Sequence, residues 1–351
     1  MRIKASKKEI LAQYGGPGDG HEQNMEKSLK NAIAARAALF DEKHQSAFRL
    51  FNGFLEGNPN LVIDVYAHTI IIHNYANPPS TGKETIPIAR ELLLKELSWI
   101  KAILLKTRKG KTPQEKNGIL LYGKKTDTRI REHGIWYALD LTMNRDASLY
   151  LDTRNLRKWA IDNLKGKRVL NTFAYTGSLG VAAQAGGAVR VVQTDLSRKF
   201  LNIGKTSYTL NGFPIHKKNF QAGDFWAHIN KLKRDEELFD CVFLDPPFFA
   251  DTKRGRVDLS QNSARLINKV RPLIDDGGHL VAINNALFVS GAEYMQTLEN
   301  LCNDGYLEIE QVISVPKNFT GYTDTRIGAP PIDPAPFNHS TKIVILKVRR
   351  K

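Results

Sequence analysis

Residues 239–250 read "FDCVFLDPPFFA", Phe239 to Ala250. Phe239–Leu244 is a short apolar run rich in Phe, Val and Leu, which predicts a buried β-strand. The run stops at Asp245, Pro246, Pro247, Phe248 and Phe249. Each proline lacks an N–H donor and fixes its own φ, so the pair forces a stiff bend and ends the ladder. What needs explaining is the acid and the two aromatic residues gathered at that bend.

Working outward, the chain alternates strand and helix from Lys167 onward. The segments "KRVLNTF", "VRVVQTD", "HKKNFQA", "FDCVFLD", "GHLVAIN", "LEIEQVIS" and "STKIVILKV" read as seven strands, with helical segments between the first six. That rhythm predicts an α/β fold, a mostly parallel sheet with helices on both faces. The last two strands are joined only by the Pro-rich loop Val315–His339, which predicts an antiparallel seventh strand. Upstream, residues 25–143 mix helical spacing with paired β-rich runs such as "LVIDVY" and "TIIIHNY", an α+β pattern. Residues 1–24, basic and then "YGGPGDG", predict a flexible start.

Three other strand ends carry chemistry. The first runs into "NTFAYTGSLG", Asn171–Gly180, where Gly177 and Gly180 let backbone approach a ligand and the following helix offers N–H groups. This is not G-x-G-x-x-G, so a nicotinamide cofactor is disfavoured. The second ends in Asp195 and Leu196, and an acid there can accept hydrogen bonds from both hydroxyls of a ribose. The third ends at "GDFW", where Asp224 faces a similar choice between an adenine amino group and a helix N-cap. Asp195 alone also reads equally as an N-cap. Ligand-like chemistry at four consecutive strand ends is the stronger observation, because open α/β sheets bind ligands at that edge.

The pattern "VLNTFAYTGSLG…TDLS…NGF…GDFW…FDCVFLDPPFF" resembles the core of class I S-adenosylmethionine-dependent methyltransferases. More narrowly, it is similar to the Rlm-type large-subunit ribosomal RNA methyltransferases, with Asn-x-Phe-x-Tyr-Thr-Gly at the first strand and Asp-Pro-Pro-x-Phe at the fourth. "LYLDTRNLR", Leu149–Arg157, resembles the segment these enzymes place before the core, against the methionine end of the cofactor. "FRLFNGFLEGNPNLVIDVY" resembles the start of their central α+β domain. The resemblance covers about residues 27–350. It implies a seven-stranded Rossmann-like methyltransferase domain over residues 144–351, a smaller α+β domain over 25–143, and S-adenosyl-L-methionine as cofactor. Members often begin with an RNA-binding PUA domain, which the few residues ahead of the central domain are not expected to form.

The cofactor residues so implied are Tyr150, Asp152, Arg154, Asn171, Phe173, Tyr175, Thr176, Gly177, Asp195, Leu196, Asp224, Phe225 and Asp245. Asp245, Pro246, Pro247 and Phe248 form the implied catalytic bend, with carbonyls that can face an amino group and a ring that can stack on a flipped base. Phe248, Phe249, Lys253, Arg254, Asn284 and Asn285 are the implied substrate contacts. Relatives that methylate cytosine C5 use a cysteine nucleophile after the fifth strand. The matching stretch here, "VAINNALF", has Asn284 and Asn285 instead. A ring or exocyclic nitrogen already has a lone pair and needs no covalent adduct; some relatives that methylate guanine N7 carry a similar Asn pair, so the resemblance implies a nitrogen target of the guanine N7 kind.

Composition agrees with a polyanionic partner. The chain has 351 residues with 51 Lys and Arg against 36 Asp and Glu, a net charge of +15. Lys101–Arg131 alone holds ten basic residues against Glu115 and Asp127. A basic hairpin of this kind suits RNA phosphates. The two cysteines, Cys241 and Cys302, provide neither a disulfide framework nor a zinc site, so no metal and a reducing, cytoplasmic setting are expected. No run of 18 apolar residues suggests a membrane span. Two rival readings stay open, as does the choice between monomer and homodimer. One is methylation of a protein or small-molecule amino group; the other is a non-catalytic, cofactor-binding RNA assembly factor.

Overall fold

A computed structural model describes residues 21–252, 255–259 and 262–350. The chain divides into two compact units. The first comprises the residues up to Arg131, with Leu139–Ala147 and Lys317–Pro331; the second comprises Glu132–Ala138, Ser148–Pro316 and Ile332–Lys351. No helix among the described residues is long and apolar enough to cross a membrane.

The first unit is a five-stranded sheet in the order β1 (Ala47–Asn52), β2 (Leu61–Tyr66), β3 (Thr69–Asn74), β4 (Ala102–Thr107), β5 (Ile119–Tyr122). Helices α1 (His21–Ala35) and α2 (Thr85–Glu96) share a core with it through Leu29, Phe48, Ile63, Ile72 and Leu93. Beneath them Arg36 and Glu56, both fully buried, form two parallel 3.0 Å hydrogen bonds. The Asn318 carbonyl accepts a further bond from Arg36 at 2.9 Å, and Thr325 donates to Glu56. Buried charges persist when their remaining donors and acceptors are satisfied in this way.

Within the basic stretch, the structure corrects the expectation for two residues. Lys106 is 2% exposed and donates to the carbonyls of Asn144 and Asp146 at 2.7 and 3.1 Å; its burial pushes the ammonium down to about 8. Arg108 is paired with Asp146 at 2.6 Å. Lys109, Lys111, Lys124 and Lys125 lie exposed around the edge strand β5.

The second unit is a seven-stranded sheet. Its strands are β6 (Arg168–Thr172), β7 (Arg190–Asp195), β8 (Phe220–Ala222), β9 (Phe239–Leu244), β10 (Ile274–Asn284), β11 (Leu307–Ile313) and β12 (Lys342–Val348). The spatial order is β8-β7-β6-β9-β10-β12-β11. β6 to β10 pair in parallel and β12 runs antiparallel between β10 and β11. The expected α/β sheet with an antiparallel last strand is therefore present. β10 begins four residues earlier than its apolar run, at Ile274.

The helices are α3 (Arg154–Asn163), α4 (Ser178–Ala185), α5 (Arg198–Leu210), α6 (Phe225–Arg234), α7 (Ser263–Val270) and α8 (Gly291–Cys302). The two-residue period of a strand sends alternate side chains to opposite faces. Val242 and Leu244 of β9 pack with Ile229, Leu266 and Leu298 from α6, α7 and α8. Cys241 and Phe243 pack on the other face with Leu156, Ala160, Leu179 and Ala182 from α3 and α4. Because both faces are covered, Cys241–Leu244 are apolar throughout, and the one acid within the strand, Asp240, lies near its start, where it pairs with Arg168 at 3.1 Å. Between β6 and β9 the sheet order reverses, and ligands of open α/β sheets bind in the crevice outside such a reversal.

Candidate active site

β6 ends with Thr172, whose hydroxyl donates to the Phe243 carbonyl at 2.7 Å and ties the two central strands together. The chain then turns through three left-handed residues, Phe173 and Tyr175 at φ 53° and Gly177 at φ 77°. Left-handed non-glycine residues cost of order 1–3 kcal/mol each and persist only where the surroundings fix them. Here Ala174 N–H donates to Thr194 O at 2.9 Å, Tyr175 N–H to Asp195 Oδ2 at 2.8 Å, and the Thr176 hydroxyl to the Ser148 carbonyl. A Cβ at Gly180 would lie 2.4 Å from Cδ of the buried Gln193, and one at Gly177 2.5 Å from its Oε1. The glycines make room for Gln193, to which Asn171 donates at 3.3 Å, rather than for a ligand alone. No side chain caps α4.

At the end of β7, Asp195 accepts from Tyr175 N–H and Ser197 N–H, one per carboxylate oxygen and both at 2.8 Å. Burial raises its carboxyl above the usual range. Each oxygen keeps a further lone pair for a hydroxyl. Leu196 beside it is 70% exposed. After β8, Asp224 is the N-cap of α6, accepting from Ala227 N–H at 3.2 Å, and Phe225 stacks on Phe173 with ring centroids 4.5 Å apart. The capping role open in the sequence is thus present at Asp224, beside an aromatic wall.

The segment before α3 is braced from within. The guanidinium of the fully buried Arg157 donates to Tyr150 O and Thr153 Oγ1, both at 2.8 Å, and to both Glu132 oxygens at 2.6 and 3.0 Å. Leu149 and Leu151 are buried, which turns Tyr150 outward, 5.2 Å from the Tyr175 ring. Asp152 accepts from the Thr341 hydroxyl at 2.8 Å. Arg154, implied as a cofactor residue, sits 3.8 Å from Glu132.

The central bend follows β9. Asp245 is half-buried, and no described residue donates a hydrogen bond to it. Burial, and next the neighbouring Asp152 charge, push its carboxyl up to about 7. Pro246 is buried and Pro247 exposed, with Phe248 and Phe249 at 42% and 51% exposure. Phe249–Thr252 pairs antiparallel with Gly255–Asp258. Lys253 and Arg254 lie outside the described residues.

Asn284 differs from its expected role. It is 1% exposed, donates to Ser263 Oγ at 3.1 Å and accepts from Ala286 N–H at 2.9 Å. Its amide is committed to folding the turn, and a base edge finds no exposed group there. Asn285 is half-buried, and Leu287 and Phe288 beyond it are exposed. Cys241 is fully buried within β9, where burial pushes its thiol up. Cys302 ends α8, which returns the chain to the opposite edge of the sheet from Asp245. Arg157, Glu132 and Thr341 were not singled out in the sequence, because each acts through a partner far along the chain.

This edge offers an acceptor pair for a diol at Asp195, an aromatic wall with an acid at Phe173, Phe225 and Asp224, and two neighbouring carboxylates at Asp152 and Asp245. Such a series fits a nucleoside that carries a cationic side chain.

Comparison with known proteins agrees. Residues 103–318 match the family described as S-adenosylmethionine-dependent methyltransferase. The chain is 30% identical over 328 residues to YwbD of Bacillus subtilis (strain 168), whose name provisionally makes it a ribosomal RNA large subunit methyltransferase; 91% of this chain and 79% of that protein are covered. It is 26% identical to ribosomal RNA large subunit methyltransferase I of Photobacterium profundum, over 81% of this chain and 72% of the relative. Among solved structures, SMU.776 complexed with SAH has a TM-score of 0.81 at 20% identity, covering 95% of this chain and 83% of that one.

Proposed function

The chain belongs to the family of S-adenosylmethionine-dependent methyltransferases, and from that premise we propose that it methylates a base of large-subunit ribosomal RNA, at a nitrogen of the guanine N7 kind. The observation that carries this reading is the bend Asp245-Pro246-Pro247-Phe248, a carboxylate with no donor among the described residues beside an exposed ring. The names borne by the relatives and the net charge of +15 support RNA as the substrate.

S-adenosylmethionine supplies an electrophilic methyl group on a positively charged sulfur. Asp195 would accept hydrogen bonds from the ribose hydroxyls, while Phe173, Phe225 and Asp224 would face the adenine. Tyr150 and Asp152 serve the methionine end. Phe248 stacks on the extruded base, worth ~1–3 kcal/mol per base. With the cofactor bound, the Pro246 carbonyl and Asp245 would orient the nitrogen lone pair of the base toward the methyl donor, and positioning supplies much of the rate. An N7-type nitrogen has no proton to lose. The methylated base therefore becomes cationic, and the Asp245 carboxylate offsets that charge as it develops.

Cytosine C5 chemistry would need a thiolate at this edge. Cys241 lies in the core and Cys302 at the far edge of the sheet. The double variant Cys241→Ala, Cys302→Ala is expected to keep most of its methyl transfer, and RNA carrying 5-fluorocytosine to give no denaturant-resistant adduct. A cysteine-dependent adduct on gel electrophoresis would replace nitrogen with C5 as the target.

The exposed lysines around β5 are proposed to meet RNA phosphates. Replacing Lys109, Lys111, Lys124 and Lys125 by Gln should weaken RNA binding and flatten its salt dependence, by roughly 0.7–0.9 in slope per lost contact. Filter binding over a salt series measures this. An unchanged slope would make these lysines a solvated surface only.

A further inference from the structure

We propose that Thr341 is a positioning residue for the cofactor, setting the Asp152 carboxylate toward its ammonium-bearing end. The inference rests on the proposed role of Asp152 and extends it to a residue contributed by the last strand. Thr341 immediately precedes β12 and is 7% exposed. Its hydroxyl donates to Asp152 Oδ2 at 2.8 Å, across 189 residues of sequence, and its N–H donates to His339 Nδ1 at 3.0 Å. The backbone bond fixes the threonine, and the threonine fixes one oxygen of the carboxylate.

The next residue braces the other side of the site. Lys342 is fully buried and its ammonium donates to the Ala286 and Ser340 carbonyls at 3.0 and 2.6 Å, pinning the turn after β10. Adjacent residues of a strand point to opposite faces. The start of β12 therefore reaches Asp152 with one side chain and the loop after β10 with the next. This gives a physical reason for the antiparallel insertion of β12 between β10 and β11: it brings donors to an edge where the parallel strands present acids.

The Asp152 charge lies close enough to disfavour ionisation of Asp245. Two carboxylates that crowd one another are held apart or bridged by a cation. With Oδ2 committed to Thr341, Oδ1 of Asp152 is left to accept from an ammonium group, and Asp245 is left to the base. Without the hydroxyl, Asp152 is free to rotate away from its neighbour, and the amino-acid end of the cofactor loses its partner while the nucleoside end does not.

The test compares two ligands on three proteins by calorimetry. S-adenosylmethionine carries the ammonium end, whereas 5′-methylthioadenosine keeps the nucleoside and an uncharged methylthio group but lacks the amino-acid arm. Thr341→Val, which keeps shape and removes the donor, is expected to weaken S-adenosylmethionine binding about tenfold and to leave 5′-methylthioadenosine unchanged. Thr341→Ser, which restores the hydroxyl, is expected to recover most of the affinity. Equal losses for both ligands would reveal general damage to the pocket and overturn the positioning role, as would unchanged affinity for S-adenosylmethionine. Failure of the unaltered protein to bind S-adenosylmethionine would instead overturn the reading on which this inference rests.

Discussion

Asp245→Asn is expected to cut methyl transfer by roughly 10²-fold, the scale of a misplaced reacting group, while raising the melting temperature of the cofactor-free protein near pH 8. Both effects follow from one carboxylate. In the folded protein burial and the Asp152 charge push Asp245 up to about 7, against the ordinary 3.8 of an exposed aspartate. Between those values the folded chain keeps a proton that the unfolded chain has lost. The number of protons bound is then larger in the folded state, so stability falls as pH rises from about 4 through 7. Above 7 the charge stands without a donor from any described residue, and its desolvation opposes folding in full. Asparagine carries no charge. Its advantage in melting temperature should be small at pH 4, grow through pH 7 and then level off.

Catalysis has the opposite sign. Only the ionised carboxylate offsets a developing positive charge on the base, so wild-type turnover should rise through about pH 7, and Asp245→Asn should lose that rise. Scanning calorimetry and single-turnover methyl transfer across pH 4–9 measure the two effects. Full turnover in Asp245→Asn, or a melting offset that ignores pH, would reject the assignment.

The parts of this molecule that could be read in its sequence are those set by local pattern. β9 was legible because burial on both faces keeps Cys241–Leu244 apolar, and the double proline marks its end sharply. The parallel sheet followed from strand–helix alternation, and the antiparallel last strand from a connection with no long helix. Side chains whose environment is set from a distance were not legible. Lys106 reads as one more exposed charge in a basic run, yet carbonyls at Asn144 and Asp146 take it inside. Arg157 sits on a helix as any solvated arginine would, until Glu132 meets it from 25 residues upstream. Asn284 offers a base-like amide edge in the sequence, but Ser263 and Ala286 consume it. The hairpin 249–258 escaped because its charged, Gly-containing sequence lacks the alternation that marks strands. For Lys106, Arg157 and Asn284 a deciding partner lies 38, 25 and 21 residues away, outside any window of neighbouring residues.

Asp195→Ala is expected to weaken S-adenosylmethionine binding by about 1.5–3 kcal/mol, the range of hydrogen bonds to a charged acceptor. That corresponds to a loss of roughly 10–150-fold in affinity. The structure adds a second route to the same loss. Asp195 holds the N–H of Tyr175, one of the left-handed residues of the β6 turn, so its removal also frees a strained loop to relax away from the cofactor. The two routes separate in a second ligand. If the carboxylate bonds the ribose directly, a 2′-deoxy analogue should already have lost part of the interaction, and the alanine variant should cost it less than it costs the full cofactor. If Asp195 acts only by bracing Tyr175, both ligands should lose affinity equally. Asp195→Asn sharpens the comparison. One amide oxygen still accepts a backbone N–H, but the amide nitrogen opposes the other, so this variant should fall between wild type and alanine for the full cofactor. Unchanged affinity in a folded Asp195→Ala protein would remove Asp195 from the site altogether, and the diol acceptor would then have to be sought elsewhere along the edge formed by β7 and β8.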